Sequence, residues 1–377
     1  MIGQALNNKT NQRVALIANN WINLYSGGRI HAMWLAYALA VNGYQVDYYT
    51  NCIPVFYTDL PDDDSRKRIV FRVNKWNLWK AKQNMYVFIV IVPHLARRIG
   101  LFDRYLFYPF ASRLKERNNC KLIYVDFESP NWIQDVDPEL RPITLYKYSN
   151  RILPKCDAIL STTKIGSSYA KKYYSIFNPN LEYYQLYLCI NAFAAKGISI
   201  EDKKNEAMYI ARFGQKHKGN EALLVIVEAL PEGYTLNIMG KKEKAGQRFL
   251  DELELKAKRK NIRLVFYSGL TDHQKFLLMA RSKFFFFSSK FEGYGIPPQE
   301  SQYMGCKLIC SDLPVLREVN PQAKFVDFNN LADMKEAVNQ LSDNFINPAA
   351  IRKYAEVISS PDIFIKHLGE IAQLIIQ

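Results

Sequence analysis

The chain has 377 residues, which is longer than a single hydrophobic core usually serves. Hydrophobic residues make up 49% of it, which is enough for two cores. Its apolar runs fall short of the roughly 18–20 residues that a membrane-spanning helix needs. Residues 1–13 lack the charged start and apolar stretch of a signal peptide, so we expect a cytoplasmic protein. The six cysteines form no C-x-x-C pair, which favours reduced thiols over disulfides or a zinc site. The net charge of +14 favours an anionic partner: a phosphate-bearing ligand, an anionic membrane or a nucleic acid.

The first half of the chain alternates strand-like and helical segments. Short apolar runs predict strands at residues 13–20, 45–51, 87–93, 121–127 and 156–163. The clearest helical pattern covers residues 29–43, where Gly43 ends the helix. Because strand, helix and strand at this spacing require a crossover connection, the sheet should be parallel.

The same alternation restarts after about residue 200. Strands are predicted at residues 207–213, 235–240, 262–269, 282–289, 307–313 and 323–329. The polar stretch 194–207 is the predicted linker. We therefore expect an α/β chain of two Rossmann-like doubly wound domains, residues 1–195 and 196–360, facing each other across a cleft. In such sheets, ligands bind beyond the carboxyl ends of the strands.

A basic turn follows the first strand of the second domain. Arg212 stands at the end of this strand, and Lys218 precedes a helix that should begin near Gly219. Backbone N–H groups and the helix dipole favour an anion at such a position, so two cations there could clamp a diphosphate. The alternative is a solvated basic turn, since Lys216 and His217 lie in it too.

Two glutamates flank a glycine-rich turn in residues 288–305. Glu292 follows the strand 282–289, and glycines in the turn let backbone N–H groups approach a ligand. Pro297 suits the first helical turn, which also contains Glu300, and Gly305 ends the helix. Carboxylates accept hydrogen bonds from neutral hydroxyls. A nucleotide sugar carries hydroxyls on both sides of its charged diphosphate, so it matches two separated carboxylates. The alternatives are stabilisation of the helix N-terminus by Glu300 and a solvated loop end for Glu292.

A glycine pair, Gly27 and Gly28, precedes the first helix. This loop is similar to a phosphate-binding turn, although it has neither the G-x-G-x-x-G of dinucleotide sites nor the G-K-[ST] of nucleoside-triphosphate loops. The pair alone is weak support for a phosphate site.

Three segments, in this order, resemble the retaining GT-B glycosyltransferases of the large bacterial E-x7-E family, glycosyltransferase group 1. This family includes many mannosyl- and glucosyltransferases of glycolipid and polysaccharide synthesis. Residues 25–46 resemble its N-terminal glycine loop and helix, residues 211–219 its Arg-x5-Lys diphosphate site, and residues 292–319 its E-x7-E region. The resemblance spans residue 13 to about residue 320. It implies a last helix, 361–377, that packs back on the first domain.

The resemblance also implies roles for single residues. Arg212 and Lys218 would hold the diphosphate of the donor. Glu300 would bind the nucleotide ribose and Glu292 the donor sugar. Further donor contacts would come from Gly27, Gly28, Ser268, Gly293, Tyr294, Gly295 and Ile296, with Ser268 near the base and Gly27 and Gly28 near the phosphates or the acceptor. The residues expected to act in catalysis are Arg212, Lys218, Glu292 and Glu128.

The chain departs from the family pattern after the fourth strand of the first domain. Family members often carry a histidine there that contacts the donor sugar, whereas this chain has Asp126, Glu128 and Ser129. Glu128 or Asp126 could take over this polar contact to the sugar or the acceptor, and we expect all three residues in the acceptor site. The alternative is ordinary anchoring of the loop ahead of Pro130.

The implied reaction needs neither a metal nor a cofactor. The leaving diphosphate gains negative charge, which Arg212 and Lys218 would stabilise where it develops. The resemblance implies retention of configuration, with the acceptor hydroxyl passing its proton to the departing phosphate oxygen. Asp62 and Asp64 form a D-x-D pattern, but they precede a basic run and indicate a solvated charge cluster rather than a metal site.

The expected partners are a nucleotide sugar, with UDP or GDP as its nucleotide, and a glycan or lipid-linked acceptor. The basic, aromatic segment 97–121 could rest on an anionic membrane at its inner face. The alternative is a helix that packs its aromatic residues into the first domain. Two other functions stay open: a basic non-catalytic nucleic-acid-binding protein, although no nucleic-acid module is recognisable and we expect no nucleic acid, and a sugar-nucleotide epimerase of the same fold.

Overall fold

The computed structural model describes residues 12–19, 27–76, 83–93, 103–140, 146–344 and 346–377. The chain forms two compact units. The first runs up to Cys189 and is completed by Pro361–Gln377, and the second is Ile190–Ser360. The first boundary lies before residue 195, because Ile190 already donates a backbone hydrogen bond of 3.0 Å to Ser359 and so belongs to the second unit.

The first unit is built on a seven-stranded parallel sheet. Its strands are β1 (Arg13–Ala18), β2 (Gln45–Thr50), β3 (Ile69–Val73), β4 (Tyr86–Val92), β5 (Lys121–Asp126), β6 (Ala158–Ser161) and β7 (Glu182–Gln185). Their spatial order is β3-β2-β1-β4-β5-β6-β7, and every pairing is parallel. Its first five helices are α1 (Gly27–Val41), α2 (Asp64–Lys67), α3 (Tyr108–Asn118), α4 (Pro130–Val136) and α5 (Lys164–Tyr174). The five strands predicted for this half are confirmed.

The second unit is built on a six-stranded parallel sheet. Its strands are β8 (Lys204–Ile210), β9 (Thr235–Met239), β10 (Arg263–Tyr267), β11 (Ser282–Phe287), β12 (Lys307–Ser311) and β13 (Lys324–Val326), in the order β10-β9-β8-β11-β12-β13. Its helices are α6 (Leu223–Ala229), α7 (Gln247–Arg259), α8 (Asp272–Arg281), α9 (Ile296–Tyr303), α10 (Pro314–Val319), α11 (Leu331–Asp343) and α12 (Pro348–Ser359). The last helix of the chain, α13 (Pro361–Ile376), belongs to the first unit. All six strands predicted for this half are confirmed.

In both sheets, the order in which the chain adds strands reverses at an inner strand pair. The chain of each unit starts in the interior of its sheet, moves outward to one side and then returns to continue on the other side. The first strand therefore pairs with the fourth, β1 with β4 and β8 with β11. These pairs are the topological switch points of two Rossmann-like doubly wound domains, which confirms the predicted fold class. A ligand site in the second unit is consequently expected at the carboxyl ends of β8 and β11.

The helix α13 closes the first unit by packing on α1. The side-chain amide of Asn42, just after α1, donates a hydrogen bond of 2.8 Å to the carbonyl of Ile365. His31 of α1 is buried, and its ring lies edge-on to those of Phe127 and Phe364, with centroid distances of 5.6 and 5.5 Å. Burial lowers the pKa of His31 to about 3, so this histidine is a neutral core residue.

The basic, aromatic segment 97–121 is described from residue 103 onward. Phe107, Tyr108 and Phe110 are buried in one hydrophobic cluster with Ile89 and Ile91 of β4, whereas Tyr105 is 55% exposed. Three of its aromatic side chains thus contribute to the core of the first unit, as the alternative to membrane contact requires. Residues 94–102 lie outside the described part of the chain.

Candidate active site

Two loops meet at the carboxyl ends of β8 and β11. After β8 the chain passes through the short 3-10 turns Lys216–Lys218 and Asn220–Ala222 and continues as α6. Between the turns lies Gly219, whose φ of 60° is left-handed; a Cβ there would stand 2.2 Å from the carbonyl oxygen of Ser288. The hydroxyl of Ser288 donates to the carbonyl of Gly219 at 2.9 Å and bonds the hydroxyl of Tyr209 at 2.7 Å. Glycine is therefore required for the loops to approach.

The structure brings Lys218 and Glu292 together. The Lys218 ammonium lies 2.5 Å from a carboxylate oxygen of Glu292, and the two side chains are only 16% and 13% exposed. Sequence reasoning assigned the two residues to different parts of the donor and did not foresee this ion pair. An ammonium has three donors, so the pair leaves Lys218 able to bind an anion while Glu292 fixes its position.

Arg212 differs from Lys218 in its surroundings. Its side chain is exposed and makes no hydrogen bond or ion pair to any residue in the described part of the chain, while its carbonyl accepts from the Asn220 amide at 3.0 Å. The guanidinium is thus available to an anionic ligand. The structure places both cations on the loop after β8, but it does not bring them into contact.

The glycine-rich turn leads directly into α9. Gly295, with a φ of 95°, precedes this helix, which begins at Ile296 and has Pro297 in its first turn, as expected. Glu300 is consequently its fifth residue, and our expectation that Glu300 lies in the first turn is wrong. The helix ends as expected, because Gly305 has a φ of 72°.

Two more predicted donor contacts are placed by this turn. Gly293 and Tyr294 are both buried, and the hydroxyl of Tyr294 bonds that of Ser359 at 2.6 Å. The Tyr294 side chain is therefore directed into the second unit. Only its backbone is suited to contact a ligand.

A buried ionic cluster surrounds Glu300. The ammonium of Lys275 lies 2.7 Å from an oxygen of Glu300 and 3.0 Å from an oxygen of Asp272. The other oxygen of Asp272 accepts from the amide of Asn191 at 2.9 Å. Glu300 and Lys275 are only 4% and 8% exposed. Lys275 is placed by α8, whose start is fixed by a reciprocal capping box between Thr271 and Gln274.

The cluster controls the ionisation of its members. Burial raises the pKa of Glu300, and the Lys275 ammonium opposes this. Burial alone would lower the pKa of Lys275, but the carboxylates of Glu300 and Asp272 outweigh it and raise this pKa. For Asp272 the burial is outweighed by Lys275 and Asn191, so its pKa is lowered. Lys275 therefore stays charged at neutral pH.

Sequence reasoning missed Lys275, although the sequence contains a signal for it. The inward face of α8 is otherwise apolar, with Phe276, Leu278, Met279 and Ala280 buried. A lysine among such residues is seldom buried without a partner. The partner was the second glutamate of the E-x7-E pattern.

Ser268 directly follows β10 and is exposed. In the sheet order, β10 lies two positions from β8 and three from β11. The structure therefore puts Ser268 at the same edge of the sheet as the two loops, toward its outer side. A contact to a nucleotide base stays a prediction.

The candidate residues of the first unit lie at the carboxyl edge of its sheet. Asp126 ends β5, is 3% exposed and accepts a hydrogen bond of 2.7 Å from the hydroxyl of Tyr174. Burial raises the pKa of Asp126 to about 7, which the Tyr174 hydrogen bond opposes and Glu128 supports. Ser129 is fully buried ahead of α4, and its hydroxyl has no partner among the described residues.

Gly27 and Gly28 are the first two residues of α1. A Cβ on Gly28 would stand 3.2 Å from the ring of Phe127, so the start of α1 lies close to the loop after β5. Residues 20–26, which connect β1 to α1, lie outside the described part of the chain.

Comparison with solved structures shows the fold of the whole chain. Sucrose-phosphate synthase from Thermosynechococcus elongatus superposes with a TM-score of 0.67 at 15% identity, over 96% of this chain and 98% of that one. A glycosyltransferase from Rickettsia africae gives 0.67 at 13% identity, over 97% and 99%. HepE of Anabaena in complex with UDP-glucose gives 0.61 at 12% identity, over 96% and 99%. The chain thus has the GT-B fold.

Comparison with curated protein sequences gave no match. Residues 192–357, by contrast, match the profile of the family Glycosyl transferases group 1. This range falls within the second unit, Ile190–Ser360, and includes the loop after β8 and the E-x7-E region. The second unit of this chain is therefore similar to the domain that defines this family.

Proposed function

We propose that the protein is a glycosyltransferase that moves a sugar from a nucleoside-diphosphate sugar to a hydroxyl of a glycan or lipid-linked acceptor. The carrying observation is the arrangement at the ends of β8 and β11: an available Arg212, a Lys218 held by Glu292, and a buried Glu300 beyond the glycine-rich turn. The similarity to the group 1 family supports this proposal, and so do solved relatives of the same fold, one of them a UDP-glucose complex.

Each part of the donor would meet groups suited to its chemistry. Arg212 and Lys218 bind the diphosphate, because two fixed cations match its charge. Glu292 and Glu300 accept hydrogen bonds from hydroxyls of the sugar and of the ribose. The backbone of residues 293–296 approaches the sugar and the phosphates, Ser268 lies toward the base, and Gly27 and Gly28 offer backbone N–H groups to a phosphate or to the acceptor.

The proposed reaction is retaining and uses no metal and no cofactor. The bond between the anomeric carbon and the diphosphate oxygen breaks, and its electron pair leaves with the phosphate. Arg212 and Lys218 stabilise this charge as it develops. The acceptor oxygen bonds the anomeric carbon on the same face and transfers its proton to the departing phosphate oxygen. Lys218 and Arg212 thus act on the leaving group, and Glu292 positions both Lys218 and the sugar.

The acceptor would bind at the carboxyl edge of the first sheet. Asp126, Glu128 and Ser129 offer carboxylate and hydroxyl groups there, with Asp126 or Glu128 in place of the family histidine. A cell-surface polysaccharide or a glycolipid is the proposed product class. No helix within the described residues has the length and apolarity to cross a bilayer. Contact of segment 97–121 with an anionic membrane is proposed only for its basic side chains, because Phe107, Tyr108 and Phe110 are buried.

Thermal-shift measurements with UDP, GDP and ADP in the presence of EDTA test the proposal. A ligand that binds only the folded state raises the melting temperature, so one diphosphate should give a clear rise. Arg212→Ala should abolish the rise, and Glu300→Ala and Arg212→Ala should each lower the release of that diphosphate from its sugar conjugates by about a hundredfold or more. Arg259→Ala, an exposed arginine at the end of α7, is the matched control and should change neither quantity. No rise with any nucleotide, together with retardation of nucleic acid on a gel, would instead favour a nucleic-acid-binding protein.

A further inference from the structure

We infer that Lys275 is a positioning residue for Glu300: it holds this carboxylate ionised and oriented, so that Glu300 can accept hydrogen bonds from the two adjacent hydroxyls of the donor ribose. The inference rests on the proposed function and adds to it a residue outside the motifs that the sequence displays. Lys275 itself would not contact the donor.

Geometry is the first support. Lys275 projects from α8 and Glu300 from α9, and their 2.7 Å contact joins two helices of the second unit. The same ammonium is anchored by Asp272 at 3.0 Å, and Asn191 in turn holds Asp272. The chain of contacts fixes the position of one Glu300 oxygen before any ligand arrives. A carboxylate has about four acceptor sites, so the remaining ones are available for hydroxyl donors.

Charge is the second support. The cluster contains two carboxylates and one ammonium, all with little exposure, so its formal charge is negative while Lys275 is present. Burial raises the pKa of Glu300, and Asp272 acts in the same direction. Lys275 is the group that opposes both. Without it, Glu300 would lie buried beside a second carboxylate, and its pKa would rise further.

No other charged group described around α9 replaces Lys275. The ionisable residues of the elements that pack against this helix are Asp272, His273, Lys275 and Arg281 on α8, Arg352, Lys353, Tyr354 and Glu356 on α12, Lys283 on β11, and Lys307 and Cys310 on β12. Of these, Lys275 and Asp272 alone affect the ionisation of Glu300. The Arg352 guanidinium and the Lys203 ammonium, for comparison, donate to the carbonyls of Tyr303 and Met304 at the far end of α9.

Protonation would change what Glu300 can bind. An ionised carboxylate only accepts hydrogen bonds and therefore suits two hydroxyl donors, whereas a protonated one carries a donor itself. Replacement of Lys275 should thus weaken the binding of ribonucleotides at low pH and spare it at high pH. A 2′-deoxyribonucleotide, which offers one hydroxyl fewer, should be affected less. A purely structural role for Lys275 would lower the melting temperature without this dependence on pH and on the 2′-hydroxyl.

The experiment is isothermal titration calorimetry of the full chain with UDP, GDP and ADP and their 2′-deoxy forms at pH 6.5 and 8.5. For the diphosphate that binds, Lys275→Met should weaken affinity about tenfold or more at pH 6.5 and much less at pH 8.5, since one pKa unit corresponds to a tenfold effect. Lys275→Arg should retain affinity at both values. Lys283→Met, which removes a lysine at the opposite end of β11, is the control and should resemble the wild type.

The outcomes separate the inference from the function on which it rests. If the wild type binds a diphosphate and Lys275→Met binds it equally well at both pH values, the inference is wrong and the proposed function stands. If the wild type binds none of the three, both fall. If Lys275→Met does not fold, Asp272→Asn provides the test. This variant removes the carboxylate that opposes the ionisation of Glu300, so the pH below which affinity is lost should decrease. An unchanged or increased value of this pH would overturn the inference.

Discussion

The two sheets share the order of their first six strands, but their carboxyl edges differ in how the buried carboxylates are paired. In the second unit the carboxylates are already paired, Glu292 with Lys218 and Glu300 with Lys275. In the first unit Asp126 uses one oxygen for Tyr174, and its other oxygen has no hydrogen-bond partner among the described residues. The second edge is therefore organised in advance, whereas the first retains polar capacity for a ligand or water.

Two serines near Asp126 also have buried hydroxyls without a hydrogen-bond partner among the described residues. Ser161 ends β6 directly beside Asp126 in the sheet register, and its hydroxyl is buried without a partner in the described part of the chain. The hydroxyl of Ser129 is in the same state. Buried polar groups without hydrogen bonds reduce stability. The presence of three such groups, on Asp126, Ser129 and Ser161, at this edge is consistent with the acceptor site proposed there.

The largest expected effect comes from breaking the organised edge at Gly219. Gly219→Ala should lower the free energy of unfolding by about 2–4 kcal/mol, because the new Cβ would stand 2.2 Å from the Ser288 carbonyl at a left-handed φ. Urea denaturation measures this change. Gly233→Ala is the matched control: its φ of 80° is also left-handed, but its Cβ would have no neighbour within 4 Å, so about 1 kcal/mol is expected. Equal effects at both positions would show that the contact between the two loops is not restrictive.

The next largest effect is the pH dependence of stability that Asp126 causes at the carboxyl edge of the first sheet. The pKa of Asp126 is raised to about 7 in the folded protein, whereas the unfolded chain has the usual value near 4. Between these values the folded state holds the proton and the unfolded state does not, so Asp126 makes stability fall as the pH rises from about 4 to 7. Asp126→Asn removes this contribution, since its amide oxygen can still accept from Tyr174.

The measurement is the free energy of unfolding of both proteins at pH 5 and pH 8. The difference between wild type and Asp126→Asn should shift in favour of the variant by roughly 1–3 kcal/mol at the higher pH. A constant difference would mean that Asp126 is ionised throughout, and the contrast between the two edges would then lose its electrostatic part.

Much of the fold follows from apolar runs alone. β11 is a continuous stretch with Phe284, Phe285 and Phe286 fully buried, which is typical of an inner strand of a parallel sheet. The strands β3 and β7 escaped prediction, and both are outermost in their sheet. Ile69 is the one buried residue in these two strands, which also include Arg72 and Glu182, so their apolar signal is weak. What identifies them is pairing with a neighbour, which is a tertiary property.

In the candidate site, too, local sequence patterns located residues but not their tertiary contacts. Spacing located Glu292 and Glu300 around the glycine-rich turn, but it could not supply their partners. Lys218 is separated from Glu292 by 74 positions and Lys275 from Glu300 by 25, and such contacts depend on which strands the sheet brings together. The place of Glu300 was also predicted wrongly: the helix begins at Ile296, directly after the left-handed Gly295, so Glu300 lies beyond its first turn.

The smallest expected effect isolates the pairing of Lys218 with Glu292. A double-mutant cycle of Lys218→Met and Glu292→Gln should give a coupling of about 1–2 kcal/mol in the free energy of unfolding, since both side chains are largely removed from water and truncation of one leaves the other buried without its partner. The control pair is Lys242 and Glu254, at 2.8 Å but 45% and 53% exposed, for which about 0.5 kcal/mol or less is expected. A coupling no larger than that of the control would mean that Lys218 is not held by Glu292 before the donor binds, and the two sheet edges would then be alike in waiting for their ligands.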